Sequence, residues 1–194
     1  MKNLFEHYFT PHHQLDNYYL LPKTVRALHS ASHDSQYTGT VTIDHGQHLI
    51  CKTLLNLLKM PRQCLNAPAT VSFHSQNHSR DYKRTYNGHT FHSTFIFNLD
   101  TNQLQEKFGP FILTLNAVIE DNKLRLSLSN MHLWKYIPVP KLFHPIITAL
   151  ESASNEDYIF DVDIQLPHFG RLIRYRGIIR KIPDKNPHQK LAGV

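Results

Sequence analysis

A chain of 194 residues that is 41% hydrophobic is long enough to bury a core of its own, and no apolar run in it approaches the ~20 residues of a membrane span. Two cysteines, Cys51 and Cys64, make no disulfide framework, and MKNLFEHYFTPHHQ lacks the continuous apolar stretch of a signal peptide, so the composition reads as cytoplasmic. The net charge of +6 raises a nucleic-acid or membrane-surface partner, but much of it sits in one stretch, from Arg171 to Lys190, which is weaker evidence than a basic face built from several elements.

Residues 1–36 read as a helical lead-in. LFEHYF is an apolar-aromatic turn or two that breaks before Pro11, and Leu21, Val25 and Leu28 recur at helical spacing, with Pro22 tolerable in a first turn. A polar loop over 31–36 leads to YTGTVTI, whose alternation predicts a strand over 37–43. The period then changes: Leu49/Ile50, Leu54 and Leu57/Leu58 form one apolar stripe, a helix over about 47–60 that ends at Pro61.

Everything afterwards reads as β. Strands are expected over 69–76, 80–86, 89–97, 103–108, 111–120, 123–136, 147–153, 157–167 and 170–182, with the proline-rich 137–145 as a crossing loop. The fold class is therefore α+β, mainly antiparallel β: about nine to ten strands in meander order, curling into a barrel or strongly curved sheet because a flat sheet of that width is unusual. One domain over 1–182 and a flexible tail over 183–194 are expected.

Two hairpins can be registered by counting. Asn87-Gly88 between alternating runs is a two-residue turn signal, and it pairs Tyr86 with His89, Arg84 with Phe91, Tyr82 with Ser93 and Arg80 with Phe95. Directly opposed side chains share a face, so Arg80, Tyr82 and Arg84 fall on the face of Phe91, Phe95 and Phe97. In the last hairpin, pairing Leu166 with Arg171 sets Val162 by Tyr175 and Phe160 by Gly177, while Asp161 and Asp163 oppose Arg176 and Arg174 on the other face. That outward charge ladder accounts for the basic stretch and weighs against a nucleic-acid partner.

The same parity sends further polar residues inward. Glu106 lies between Leu104 and Phe108; Glu151 pairs with Phe160; and the face of Leu124, Leu126 and Leu128 continues through Asn130, His132 and Trp134. The candidate ligand-binding residues are thus Arg84, Glu106, Glu151, Tyr82, His132 and Tyr175. One reading is a buried structural network; the other is an apolar cavity with a few convergent polar groups, as ligand sites generally are. Acid/base catalysis by Glu106 or Glu151 with His132 is a third reading, although parity brings no two of them into hydrogen-bonding reach. Fifteen histidines invite a metal site, but His74/His78 are spread too far along a strand and His89/His92 fall on opposite faces, so no metal and no cofactor is expected.

From about Leu28 to Ile179 the chain resembles the family catalogued as domain of unknown function 4166. The matching pieces are Leu28-His29, Gly39, Gly46 with the helix to Met60-Pro61, Tyr82-Lys83-Arg84-Thr85-Tyr86, Gly88, Phe91, Ser93, Glu106-x2-Gly109-Pro110, Ile137-Pro138-Val139-Pro140, Pro145, Glu151, Phe160-Asp161-Val162, Leu166-Pro167 and Gly170-x4-Tyr175-x-Gly177. The family usually has tryptophan where Tyr82 stands. The resemblance implies a small bacterial protein with no settled activity. Some members look like the tail of longer chains whose front half resembles a saccharopine-dehydrogenase-type reductase, so a separate reductase partner is implied as an option. Arg84, Glu106 and Glu151 are reached both by parity and by the family pattern. The leading expectation is a non-enzymatic binding module for a small apolar or amphipathic ligand; the alternatives are an enzyme or auxiliary reductase domain, and a structural interaction domain.

Overall fold

A computed structural model describes residues 3–10, 15–30, 35–76 and 78–183. Three short helices lead in: α1 (Leu4–Phe9), α2 (Leu15–Leu20) and α3 (Lys23–Ser30). The strands are β1 (Ser35–His45), β2 (Cys64–Gln76), β3 (Ser79–Tyr86), β4 (His89–Asn98), β5 (Gln103–Phe108), β6 (Phe111–Glu120), β7 (Lys123–Leu133), β8 (Ile137–Pro138), β9 (Ile146–Ser154), β10 (Asp157–Leu166) and β11 (Gly170–Lys181). Helix α4 (Leu49–Leu57) stands between β1 and β2, and a 3₁₀ turn covers Lys141–Phe143.

Strands β1 to β7 pair in sequence, β7 pairs with β9, β9 with β10, β10 with β11, and β11 returns to β1. The result is a closed, wholly antiparallel barrel of ten strands, with β8 as a two-residue ladder on β7. Closure removes both sheet edges. The expected meander is therefore borne out, and the curled sheet becomes a true barrel.

The counted registers hold. Arg80 faces Phe95, Tyr82 faces Ser93 and Arg84 faces Phe91 across a turn in which Asn87 and Gly88 have φ of 49° and 78°; both positive values are what a type I′ turn requires. Phe97 faces Leu104, Phe95 faces Glu106 and Glu151 faces Phe160. In the last hairpin Val162 faces Tyr175 and Phe160 faces Gly177. A Cβ on Gly177 would fall 2.6 Å from Phe160 Cζ and 2.4 Å from the Thr40 carbonyl oxygen, so the close approach explains the glycine.

Three expectations need correction. Leu166 pairs with Gly170, not Arg171, because a bulge intervenes between Ile164 and Gln165. A second bulge inserts Ser129 in β7: Leu115 faces Leu128 but Thr114 faces Asn130, and the Ser129 hydroxyl donates to the Thr114 carbonyl at 3.1 Å. An extra residue reverses the parity of whatever follows, so Met131 is buried while Asn130 and Trp134 are exposed and His132 lies on the outer wall. Strand β2 starts at Cys64, not at residue 69, and accommodates Pro68 opposite Thr40. The ladder register holds, with Asp161 opposite Arg176 and Asp163 opposite Arg174, but the ion pairs within it run diagonally: Arg174 binds Asp161 at 2.8 and 2.6 Å and Arg171 binds Asp163 at 2.9 and 3.2 Å. The frayed tail expected over 183–194 lies, save for Pro183, outside the described residues.

The two barrel ends differ. The turns 99–102, 121–122 and 155–156 lie at the end that the lead-in helices plug. There the Tyr8 hydroxyl accepts from Ala117 N–H at 3.2 Å, and the Thr24 hydroxyl donates to the Asn155 carbonyl at 3.2 Å. Asn3 starts α1 with a capping box, accepting from the N–H groups of Phe5 and Glu6. Phe5, Phe9, Tyr18, Leu21, Val25 and Leu28 are each at most 2% exposed, so this plug is part of the core. The opposite end, between α4 and the stretch 134–145, is the mouth.

Candidate functional site

Alternation in the strands sends Tyr82 and Arg84 from β3, Glu106 from β5, Glu151 from β9 and Tyr175 from β11 into one interior space. The space has three connected parts. At the mouth, a hollow of ≈ 230 Å³ is almost wholly apolar, lined by Leu54 of α4, Leu58 at its C-cap, Phe143 and Pro145 among others. Behind it, sharing Phe108, Leu113, Ile147 and Ile164, lies a middle section of ≈ 110 Å³ that exposes Arg84, Glu106, Glu151 and Tyr175. The floor, ≈ 60 Å³, is walled by Tyr82, Tyr86, Tyr158 and Phe160. A larger hollow of ≈ 510 Å³ lies over the outer wall of β1 to β4; it is lined by Gln36, Asp81, Lys83 and His92, and only Phe73 is common to it and the floor.

Arg84 is the central polar group. Its Nη1 donates to Ser93 Oγ at 2.6 Å, while Nη2 stands 3.7 Å from Glu106 Oε1, an ion pair longer than a hydrogen bond. The guanidinium lies 4.6 Å from the Tyr82 ring centre and 5.8 Å from that of Phe91. Burial alone would lower its affinity for the proton, but Glu106 and the surrounding tyrosines outweigh that and raise it, so the cation is secure. A guanidinium has five N–H donors; the hydrogen bond to Ser93 engages one of them.

Glu151 has different partners. His29 of α3 hydrogen-bonds to its carboxylate, and Tyr158 does so from β10. Burial pushes this carboxyl up, yet His29, the Tyr158 hydroxyl and the charge of Arg84 more than offset it and hold it below its ordinary value. Burial pushes the Tyr82 and Tyr175 hydroxyls to about 12, and raises Tyr158 well above its usual range with help from Glu151, so all three stay neutral donors.

Of the six residues marked by the sequence, five come together; His132 does not, because the Ser129 bulge turns it outward. The Glu106/Glu151/His132 acid–base set is thereby undone. Three interior groups were missed. Ser93 was legible, since parity set it opposite Tyr82. Arg80 also was inward by parity; it is 4% exposed, its guanidinium lies 4.3 Å from the Phe73 ring centre and 5.5 Å from that of Tyr82, and none of its side-chain nitrogens has a hydrogen-bond partner among the described residues. His29 arrives on a helix, where strand parity says nothing.

Among curated proteins none matches the chain. Two solved structures are similar in fold. A secretary abundant heat soluble (SAHS) protein from Ramazzottius varieornatus is 7% identical with a TM-score of 0.40, over 76% of this chain and 93% of that one. Rv2717c from M. tuberculosis is 11% identical with a TM-score of 0.45, over 84% of this chain and 99% of that one. A family model matches residues 21–179, a span that holds every strand but the very end of β11, as well as the cavity and its arginine, and the chain belongs to the domain of unknown function family DUF4166.

Proposed function

We propose that the barrel is a non-enzymatic binding module that holds one small apolar or amphipathic molecule, its anionic or carbonyl end against Arg84 and its apolar body reaching toward the mouth. The observation that carries this reading is the setting of Arg84. A guanidinium whose side chain is 13% exposed, with one hydrogen bond among the described residues and a distant carboxylate, faces a hollow that it shares with Glu106, Glu151 and Tyr175 and whose other lining is apolar, and a cation in such a place calls for an acceptor. Tyr175 and Tyr82 supply neutral hydroxyls and ring surface beside it, and Glu106 tunes how negative an occupant can be. Glu151, engaged by His29 and Tyr158, has the wall-fixing role within this site. Taken as one space, the three hollows fall at the lower end of the about 300–1,000 Å³ typical of ligand pockets. The free thiols of Cys51 and Cys64 support a reducing compartment such as the cytoplasm.

The test uses a dansyl-labelled undecanoic acid and its methyl ester as probes. The wild-type protein is expected to bind both, the acid more tightly. Arg84→Met should weaken the acid about tenfold, the loss of roughly 1.4 kcal/mol, and leave the ester unchanged. Loss of both probes by equal factors, or of neither, sinks the assignment of Arg84. Native mass spectrometry of protein purified from its own host would name the occupant's class.

A further inference from the structure

The connecting segments at the two ends of the barrel differ in charge. The connections at the mouth (46–63, 87–88, 109–110, 134–145 and 167–169) contain no Asp or Glu, and they carry Lys52, Lys59, Arg62, Lys135 and Lys141, all exposed. The turns at the plugged end (99–102, 121–122 and 155–156) carry Asp100, Asp121 and Glu156 and no Lys or Arg. Meanwhile the arginines of β11 are matched on the outer wall, Arg171 by Asp163, Arg174 by Asp161, Arg176 by Asp44 and Arg180 by Asp157. The mouth thus carries exposed basic residues on several elements with no acidic residue among its connections.

Most of the exposed large apolar side chains lie at the mouth, although Tyr19, Leu20 and Leu99 are exposed at the plugged end. Leu49 and Leu57 of α4 are 75% and 76% exposed, and Trp134, Tyr136, Leu142 and Phe143 are 65%, 80%, 66% and 65% exposed. Helix α4 already buries Cys51 and Leu55 and lends Leu54 and Leu58 to the cavity opening, so Leu49 and Leu57 are surplus to its packing in the barrel. These side chains do not form one flat patch. Phe143 lines the apolar opening itself, and Lys135 lies 5.8 Å from the Tyr136 ring centre.

We infer that the mouth docks on the surface of an anionic phospholipid membrane, with Trp134, Tyr136, Leu142 and Leu57 entering the headgroup layer and Lys135, Lys141, Lys52 and Lys59 meeting lipid phosphates. Trp and Tyr with lysines that keep their charged ends at the boundary are the side chains that a water–lipid interface favours. An acid-free surface suits a leaflet of negative potential. A folded protein partner would instead require a fitted surface, and exposed side chains beside an open hollow offer little of one. Docking in this pose puts the apolar opening against the lipid, so an apolar molecule passes between bilayer and barrel without crossing water. The inference does not depend on what Arg84 holds.

Trp134 is the sole tryptophan of the chain, so its emission reports the mouth directly. The experiment mixes the full chain with vesicles of phosphatidylcholine alone, or of phosphatidylcholine with one quarter phosphatidylglycerol, and follows emission and co-sedimentation. A blue shift and co-sedimentation are expected with the anionic vesicles and not with phosphatidylcholine alone. Binding should weaken at least tenfold when salt rises from about 0.1 M to about 1 M, which shortens the screening length from about 10 Å to about 3 Å. Lys135→Glu with Lys141→Glu should lower binding at least tenfold, whereas Lys123→Glu, at the plugged end, should not. Arg84→Met should dock like the wild type, which separates this result from any failure of the cavity reading. No shift with either vesicle overturns the inference, as does an equal loss in the Lys123→Glu control. So would a blue shift that grows with protein concentration without vesicles, since it would make a second copy the occupant of this face.

Discussion

Arg80 and Arg84 flank Tyr82 along β3, and their surroundings lead to different expectations. Arg84 has Ser93, Glu106 and a hollow before it; among the described residues Arg80 has ring faces and no hydrogen-bond partner. A desolvated cation–π contact contributes about 2 kcal/mol or somewhat more, whereas removing an ion from water costs several. Desolvation wins, so Arg80→Met is expected to hold or raise stability, by about 1–3 kcal/mol in urea unfolding; a comparable loss would show that the rings stabilise the charge far more than such contacts normally do. Glu151 makes a pH prediction. Its folded-state value lies below its ordinary 4.5 because His29, Tyr158 and Arg84 outweigh burial. A depressed carboxylate contributes stability that is complete above its unfolded value and is lost as pH falls through the folded one. Melting temperatures measured between about pH 3 and pH 6 should therefore fall more steeply below 4.5 in the wild type than in Glu151→Gln.

Hairpins and bulges decide how far counting can reach. The Asn87-Gly88 turn fixes the register of β3 and β4, and with it the inward face of Arg84. Gly88 has φ of 78°, and a β-branched residue there costs about 1–2 kcal/mol of backbone strain; Gly88→Val should lower the melting temperature by several degrees. The diagonal pairs on the outer wall are partly solvated, so Asp163→Ala should cost no more than about 1 kcal/mol by chemical denaturation, despite the paired bonds from Arg171. Strand order, the two hairpin registers and five of the marked residues were legible because turn chemistry and period two act locally. Bulges were not. Ser129 in β7 and Leu172 in β11 are ordinary strand residues, and what inserts one of them is the fit of the curved wall, which no local pattern announces. The error then propagated only to the residues beyond it, which is why His132 and Trp134 were misplaced and Leu128 was not. His29 was invisible for another reason: its partner lies 122 positions away and on a different kind of element.

For the molecule as a whole, the lead-in helices belong to the core. The six almost wholly buried residues of the plug, at about 1.5–3 kcal/mol each, together contribute on the order of the whole 5–15 kcal/mol by which domains are stable. A chain beginning at Ser35 should consequently lack a cooperative melt and sharp amide resonances, even though all eleven strands remain in it. The mouth, by contrast, carries its exposed apolar side chains at little cost to the fold, which is where a surface under a different selection would place them. The ring itself has one seam between distant parts of the chain, where β1 lies along β11 from Tyr37 beside Lys181 to His45 beside Ile173, with Gly177 pressed against the Thr40 carbonyl. On the ribosome, at about 5–20 residues per second, β11 emerges on the order of ten seconds after β1. Throughout that interval the free edge of β1 presents unpaired amides and carbonyls to any other nascent strand, so the newborn chain stays sticky until β11 emerges, and that strand acts as the zip that ends the hazard.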